Sequence, residues 1–155
     1  MEILRSVLRE LPEFQQLLAA LDSGQSPAAV SGLAAVHRAH FAACLGQESG
    51  RPVVVVCADE GEAERMARDL SFLTGGEVPV LAARSFLFHN IATVSRQWEH
   101  RRLRLLYRLT RGEVPCLVAT VEALLQRTLP PQALEQYCFR LKAGQSQDLA
   151  QLAEA

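Results

Sequence analysis

The residues whose types and spacing come nearest to a known chemistry are Gly32, His37, Arg38 and Ala39, within Val30-Ser31-Gly32-Leu33-Ala34-Ala35-Val36-His37-Arg38-Ala39. A working phosphate loop reads G-x-x-x-x-G-K-[ST]. Its glycines let backbone N–H groups approach the phosphates, its Lys reaches the β/γ oxygens, and its Ser/Thr hydroxyl holds Mg²⁺. Here Gly32 takes the first glycine position, His37 the second, Arg38 the lysine and Ala39 the hydroxyl. An imidazole fills the space the backbone needs, and Ala39 offers a metal no oxygen. The register is kept while the chemistry is lost, which reads as a nucleotide-binding fold without its nucleotide. No cofactor is expected for this chain.

Three other groupings carry a chemical reading beside a structural one. Ala58-Asp59-Glu60 follows an apolar run and resembles the acidic pair that holds Mg²⁺ and orients water in helicase-like ATPases, so Asp59 and Glu60 could serve a small nucleotide hydrolase. Asp59 with Glu62 three residues on is also a capping box for the next helix, and an acidic pair of this kind needs a working phosphate loop. His37, His40 and Cys44 share one helical face and are zinc-type ligands, but no compact fourth ligand accompanies them and a half-buried face with hydrogen-bonded histidines is the plainer reading. Arg101, Arg104, Arg108 and Arg111 form a stripe opposite Trp98, Leu105, Leu106 and Leu109. Such a ridge could meet nucleic-acid phosphates or an acidic partner, or be a solvated face paired with local acids. No G-x-S-x-G, H-E-x-x-H or paired Cys/His signature is present.

The elements that must position these residues follow from periodicity. Apolar residues from Ile3 to Leu21 recur every three or four positions and predict a helix that Pro12 divides in two. Asp22 to Pro27 is a loop. A short strand Ala28–Val30 is expected to feed a helix over Ala34–Leu45. Val53–Cys57 is apolar throughout, as a strand covered on both faces requires. A helix over Glu60–Leu73, a strand at Val78–Leu81, an irregular stretch from Ala82 to Ser95 and a helix over Arg96–Arg111 come next. A strand at Cys116–Ala119, a short helix Val121–Arg127 ending before Pro130-Pro131, and a fifth strand Cys138–Leu141 complete the pattern. Alternating strands and helices predict an α/β fold: a mostly parallel sheet with helices on both faces, of the degenerate P-loop NTPase type.

The chain has 155 residues, one domain or one domain and the start of another, and is 49% hydrophobic, enough for a core. Sixteen basic and seventeen acidic residues leave a net charge of −1, which argues against a free-standing nucleic-acid binder held mainly by phosphate contacts. No apolar run approaches the roughly 18 residues of a membrane span, and no signal pattern opens the chain; a soluble, cytoplasmic protein is expected. Cys44, Cys57, Cys116 and Cys138 lack C-x-x-C spacing, and no disulfide is expected.

Several segments in order resemble the amino-terminal region of the bacterial transcription-repair coupling factor family (Mfd). They are Ser26-Pro27 with Gly32-Leu33 and Arg38-Ala39, Arg51-Pro52 with the valines after it, Glu62-Ala63-Glu64-Arg65 with Asp69-Leu70, Val94-Ser95-Arg96, Arg102-Leu103 with Leu106, Val118-Ala119-Thr120 with Ala123-Leu124-Leu125-Gln126, and Leu129-Pro130-Pro131. The resemblance implies a module similar to domain 1 of the excision-repair protein UvrB, with a vestigial phosphate loop. It further implies a parent protein that is an ATP-dependent DNA translocase, displaces stalled RNA polymerase and recruits UvrA, with ATP and Mg²⁺ used in motor domains outside this sequence. On this basis residues 1–24 are expected to be a helical segment, 25–141 the UvrB-like domain, and 142–155 the truncated start of the next subdomain. The expected role is scaffolding without ATPase activity, through contacts mainly with the domains that follow.

Overall fold

A computed structural model describes residues 2–83, 97–138 and 143–144. The chain forms two compact units, one from Met1–Phe86 with Val114–Gln126, the other from Leu87–Glu113 with Arg127–Ala155.

In the first unit, helices α1 (Glu2–Arg9) and α2 (Pro12–Asp22) are separated where Pro12 was expected to divide them, with Pro12 opening α2. Both pack on α3 (Ala35–Ser49). Phe14 is buried and meets Phe41 edge-on at 5.5 Å between ring centroids. Arg9 pairs with Glu48 at 3.2 Å, and Arg51 reaches back to Asp22 at 3.3 Å.

Three strands form a parallel sheet in the order β1 (Val53–Cys57), β3 (Cys116–Thr120), β2 (Val80–Leu81). Val53 pairs with Cys116 and Val55 with Val118; Val80 also pairs with Val118. The core gathers Ala39 and Ala43 of α3, Ala63, Met66, Ala67 and Leu70 of α4 (Glu60–Thr74), and Cys57, Cys116 and Val118 of the sheet. At Gly46 the end of α3 approaches β1 so closely that an added Cβ would lie 2.7 Å from Val53 Cγ2. In the last turn of α4, the Ser71 hydroxyl donates to Ala67 O at 2.7 Å and accepts from Val78 N–H at 2.9 Å, fixing the path into β2. Thr120, the one buried polar side chain among the described residues, accepts from Ala123 N–H at 3.1 Å and caps α6 (Val121–Leu125).

The sheet departs from expectation in three places. Residues 28–30 form no strand and are exposed: three residues dominated by alanine have little β-propensity and bury nothing by pairing. Cys138 is the C-cap of a helix, α7 (Pro131–Tyr137), and the rest of the expected fifth strand lies outside the described residues. Coverage on both faces holds for the central strand β3, buried at all five positions, but not for β1. There Val53, Val55 and Cys57 face α3 and α4, while Val54 and Val56 remain 53% and 50% exposed. Most of the irregular stretch from Ala82 to Ser95 also lies outside the described residues.

In the second unit, α5 (Gln97–Thr110) packs on α7, burying Leu105 and Leu134. Among the described residues no helix is long and apolar enough to cross a membrane.

Leu70 is fully buried while Phe72, two residues on, is 78% exposed. Leu70→Ala is expected to lower unfolding free energy in urea by about 2–5 kcal/mol, and Phe72→Ala to change it by less than about 0.5 kcal/mol.

Candidate functional site

The loop before α3 keeps one feature of a phosphate turn, Gly32, whose φ of +81° lies in the left-handed region glycine tolerates. The strand that would anchor such a turn is absent, and α3 begins at Ala35 without a side-chain cap. The N–H groups of His37 and Arg38 are already bonded to Ala34 O, at 2.9 and 3.2 Å. His37 is exposed. Arg38 Nη1 lies 3.8 Å from Glu62 Oε1 on α4, so the cation at the lysine position faces a carboxylate of its own chain. Ala39 is 1% exposed and belongs to the core against α4. A hydroxyl there would project into apolar packing. This donor set does not fit a Mg-nucleotide.

The acidic residues after β1 have structural work. Asp59 Oδ1 accepts from Glu62 N–H at 2.8 Å, the N-cap half of a capping box, while Glu62 Oε2 reaches back one residue further, accepting from Ala58 N–H at 3.2 Å. Glu60 is an exposed residue of the first turn, favourably placed against the helix dipole. Glu62 thus serves both the cap and Arg38. Asp59→Ala should lower stability by about 0.5–2 kcal/mol while Asp59→Asn retains most of it, as read from urea midpoints.

Of the three zinc-type residues on α3, His40 and Cys44 meet, with Nε2 and Sγ 3.4 Å apart. His37 is exposed, and among the described residues no three His, Cys, Asp or Glu side chains gather as a metal set. Burial raises the Cys57 thiol pKa, and the charges of Glu62 and Asp59 push the same way; burial also raises that of Cys116. Less thiolate at neutral pH means slower alkylation. Native protein treated with iodoacetamide at pH 7.5 should modify half-buried Cys138 ahead of Cys57 and Cys116, a rank order read by peptide mass mapping.

The basic stripe is a real surface. Arg101, Arg104 and Arg111 are exposed, Arg108 is half-buried, and Leu105 turns inward on the other side. Arg102, off the stripe, stacks over the Trp98 ring at 5.7 Å, and its burial lowers its pKa. The local signals for α5 and for the Asp59–Glu62 cap were legible in the sequence. The Arg38–Glu62 contact was not, because it joins two helices with no pattern linking them.

No family model matches the chain, and no solved structure matches it. Among characterised proteins, it is 28% identical over 132 residues to a transcription-repair-coupling factor of Bacillus subtilis, covering 84% of this chain and 11% of that protein. It is 32% identical over 148 residues to the transcription-repair-coupling factor of Myxococcus xanthus, covering 90% of this chain and 12% of the relative. The chain therefore spans only about an eighth of either protein or less. Over nearly its whole length, it is related by sequence to the transcription-repair coupling factors, matching one segment of them.

Proposed function

We propose that this chain is an amino-terminal, UvrB-like scaffold module of a transcription-repair coupling factor, without ATPase activity of its own. The observation that carries the second half is the burial of Ala39 in the α3–α4 core, together with the Arg38–Glu62 pair. The position a P-loop uses to hold Mg²⁺ is here a packing residue, and the position it uses to hold phosphate is turned to a carboxylate. The similarity to the transcription-repair-coupling factors of Bacillus subtilis and Myxococcus xanthus supports the choice of family.

On this reading the module's main contacts are with other domains of a longer cytoplasmic polypeptide. ATP and Mg²⁺ act in that protein's motor domains, and UvrA, RNA polymerase and DNA are partners of the whole protein. The module supplies a rigid α/β body from which neighbouring domains are held. The vestigial loop at Gly32, His37, Arg38 and Ala39 is a remnant of a nucleotide site.

Calorimetric titration with Mg-ATP tests the catalytic half. Up to about 1 mM nucleotide, where binding would be worth only about 4 kcal/mol, no saturable heat and no phosphate release are expected. Micromolar binding, or turnover abolished by Arg38→Ala, would overturn the proposal.

A further inference from the structure

The overall charge of −1 conceals a division between the two units. Leu87–Glu113 with Arg127–Ala155 contains nine Arg or Lys against five Asp or Glu, a formal +4. The other unit contains seven against twelve, a formal −5. Within the basic unit, the positive charge is concentrated on α5.

At about 100° per residue, Gln97, His100, Arg101, Arg104 and Arg108 fall in one arc of α5, Arg111 follows just past the helix end, and no carboxylate of α5 shares the arc. Glu99 falls outside this arc. Ion pairs among the described residues join Arg9 to Glu48, Arg38 to Glu62 and Arg51 to Asp22, and none involves a ridge arginine. Among the described residues, therefore, no acid forms an ion pair with the ridge. From Arg101 to Arg111 the row rises about 15 Å at 1.5 Å per residue. One strand of a duplex presents a phosphate about every 3.4 Å of axis, so the row passes about four of them.

We infer that the α5 face bearing Arg101, Arg104 and Arg108, continued by Arg111 just past the helix end, is a docking surface for the phosphate backbone of duplex DNA, without base specificity. Charge complementarity carries this choice of partner. All four cations are arginine, whose planar fork suits phosphate oxygens. The arc offers no large apolar or aromatic anchor of the kind that dominates protein–protein contacts. Backbone contacts of this type position a protein on DNA and carry no sequence information.

The test is fluorescence anisotropy with a labelled duplex of about 20 bp and mixed sequence, using the 155-residue chain between about 50 and 200 mM salt. Four phosphate contacts give a slope of log K against log salt of about −3.6, hence on the order of 100-fold weaker binding across that range. Arg101→Ala/Arg104→Ala, at two exposed positions, should weaken binding about tenfold at low salt and make the slope shallower by about 1.8. Arg111→Glu, beyond the end of the helix, keeps the test decisive if that double variant melts early. Arg65→Ala/Arg68→Ala, removing equal charge from α4, should bind as the unaltered protein does. No binding at about 50 mM salt, a slope unchanged by the ridge substitutions, or ridge-dependent binding of polyglutamate in place of DNA would each overturn the inference.

Discussion

The first unit depends on how closely α3 and α4 lie against β1 and β3. Small residues make that approach: Ala39 and Ala43 on one helix, Ala63 and Ala67 on the other, and Gly46 where α3 passes Val53. An alanine buries little surface of its own, so the gain lies in the density of contacts that short side chains permit around Met66, Leu70 and Val118. The same packing decides what the loop before α3 can do. Ala39 cannot both seal the helix–sheet interface and present an oxygen to a metal. Stability and nucleotide chemistry make opposing demands on one position, and here packing has it.

The relative weights of the nearby polar contacts support that order of causes. The Arg38–Glu62 pair is long and largely solvated, so it contributes at most a fraction of a kcal/mol. The Asp59 cap contributes more, because it satisfies the Glu62 N–H left open in the first turn of α4. The ion pair therefore does not close a site that would otherwise work. It reports the local potential: a carboxylate fixed by the cap stands where an incoming phosphate would have to compete for Arg38.

What was legible in the sequence was what local rules determine. Pro12 divided the first helical stretch, Asp59 and Glu62 marked the start of α4, and two apolar runs became parallel neighbours β1 and β3. The failures came where a local pattern has two outcomes. Ala28–Val30 is apolar but too short and too rich in alanine to hold a strand by itself. α6 ended at Leu125, ahead of Pro130-Pro131 as expected, yet Pro131 also opened α7, since proline's missing N–H is not needed in a first turn. The valine run of β1 suggested cover on two faces, but that cover depends on distant elements, and β1 lies at the sheet edge. The candidate loop was legible as a pattern of residue types. That no strand precedes it was not, because strand pairing is a property of partners elsewhere in the chain.

The charge balance shows a related limit of averages. A net charge of −1 describes the field far from the molecule, whereas a ligand at the surface responds to charges within about a Debye length, about 10 Å at 0.1 M salt. Successive ridge arginines are separated by three or four residues, about 4.5–6 Å along α5, so neighbours act together before salt screens them. The twelve acids of the other unit, against seven basic residues there, set the sign of the total. Near-neutrality thus excludes a protein basic all over, and it leaves room for a local basic surface carried by one helix.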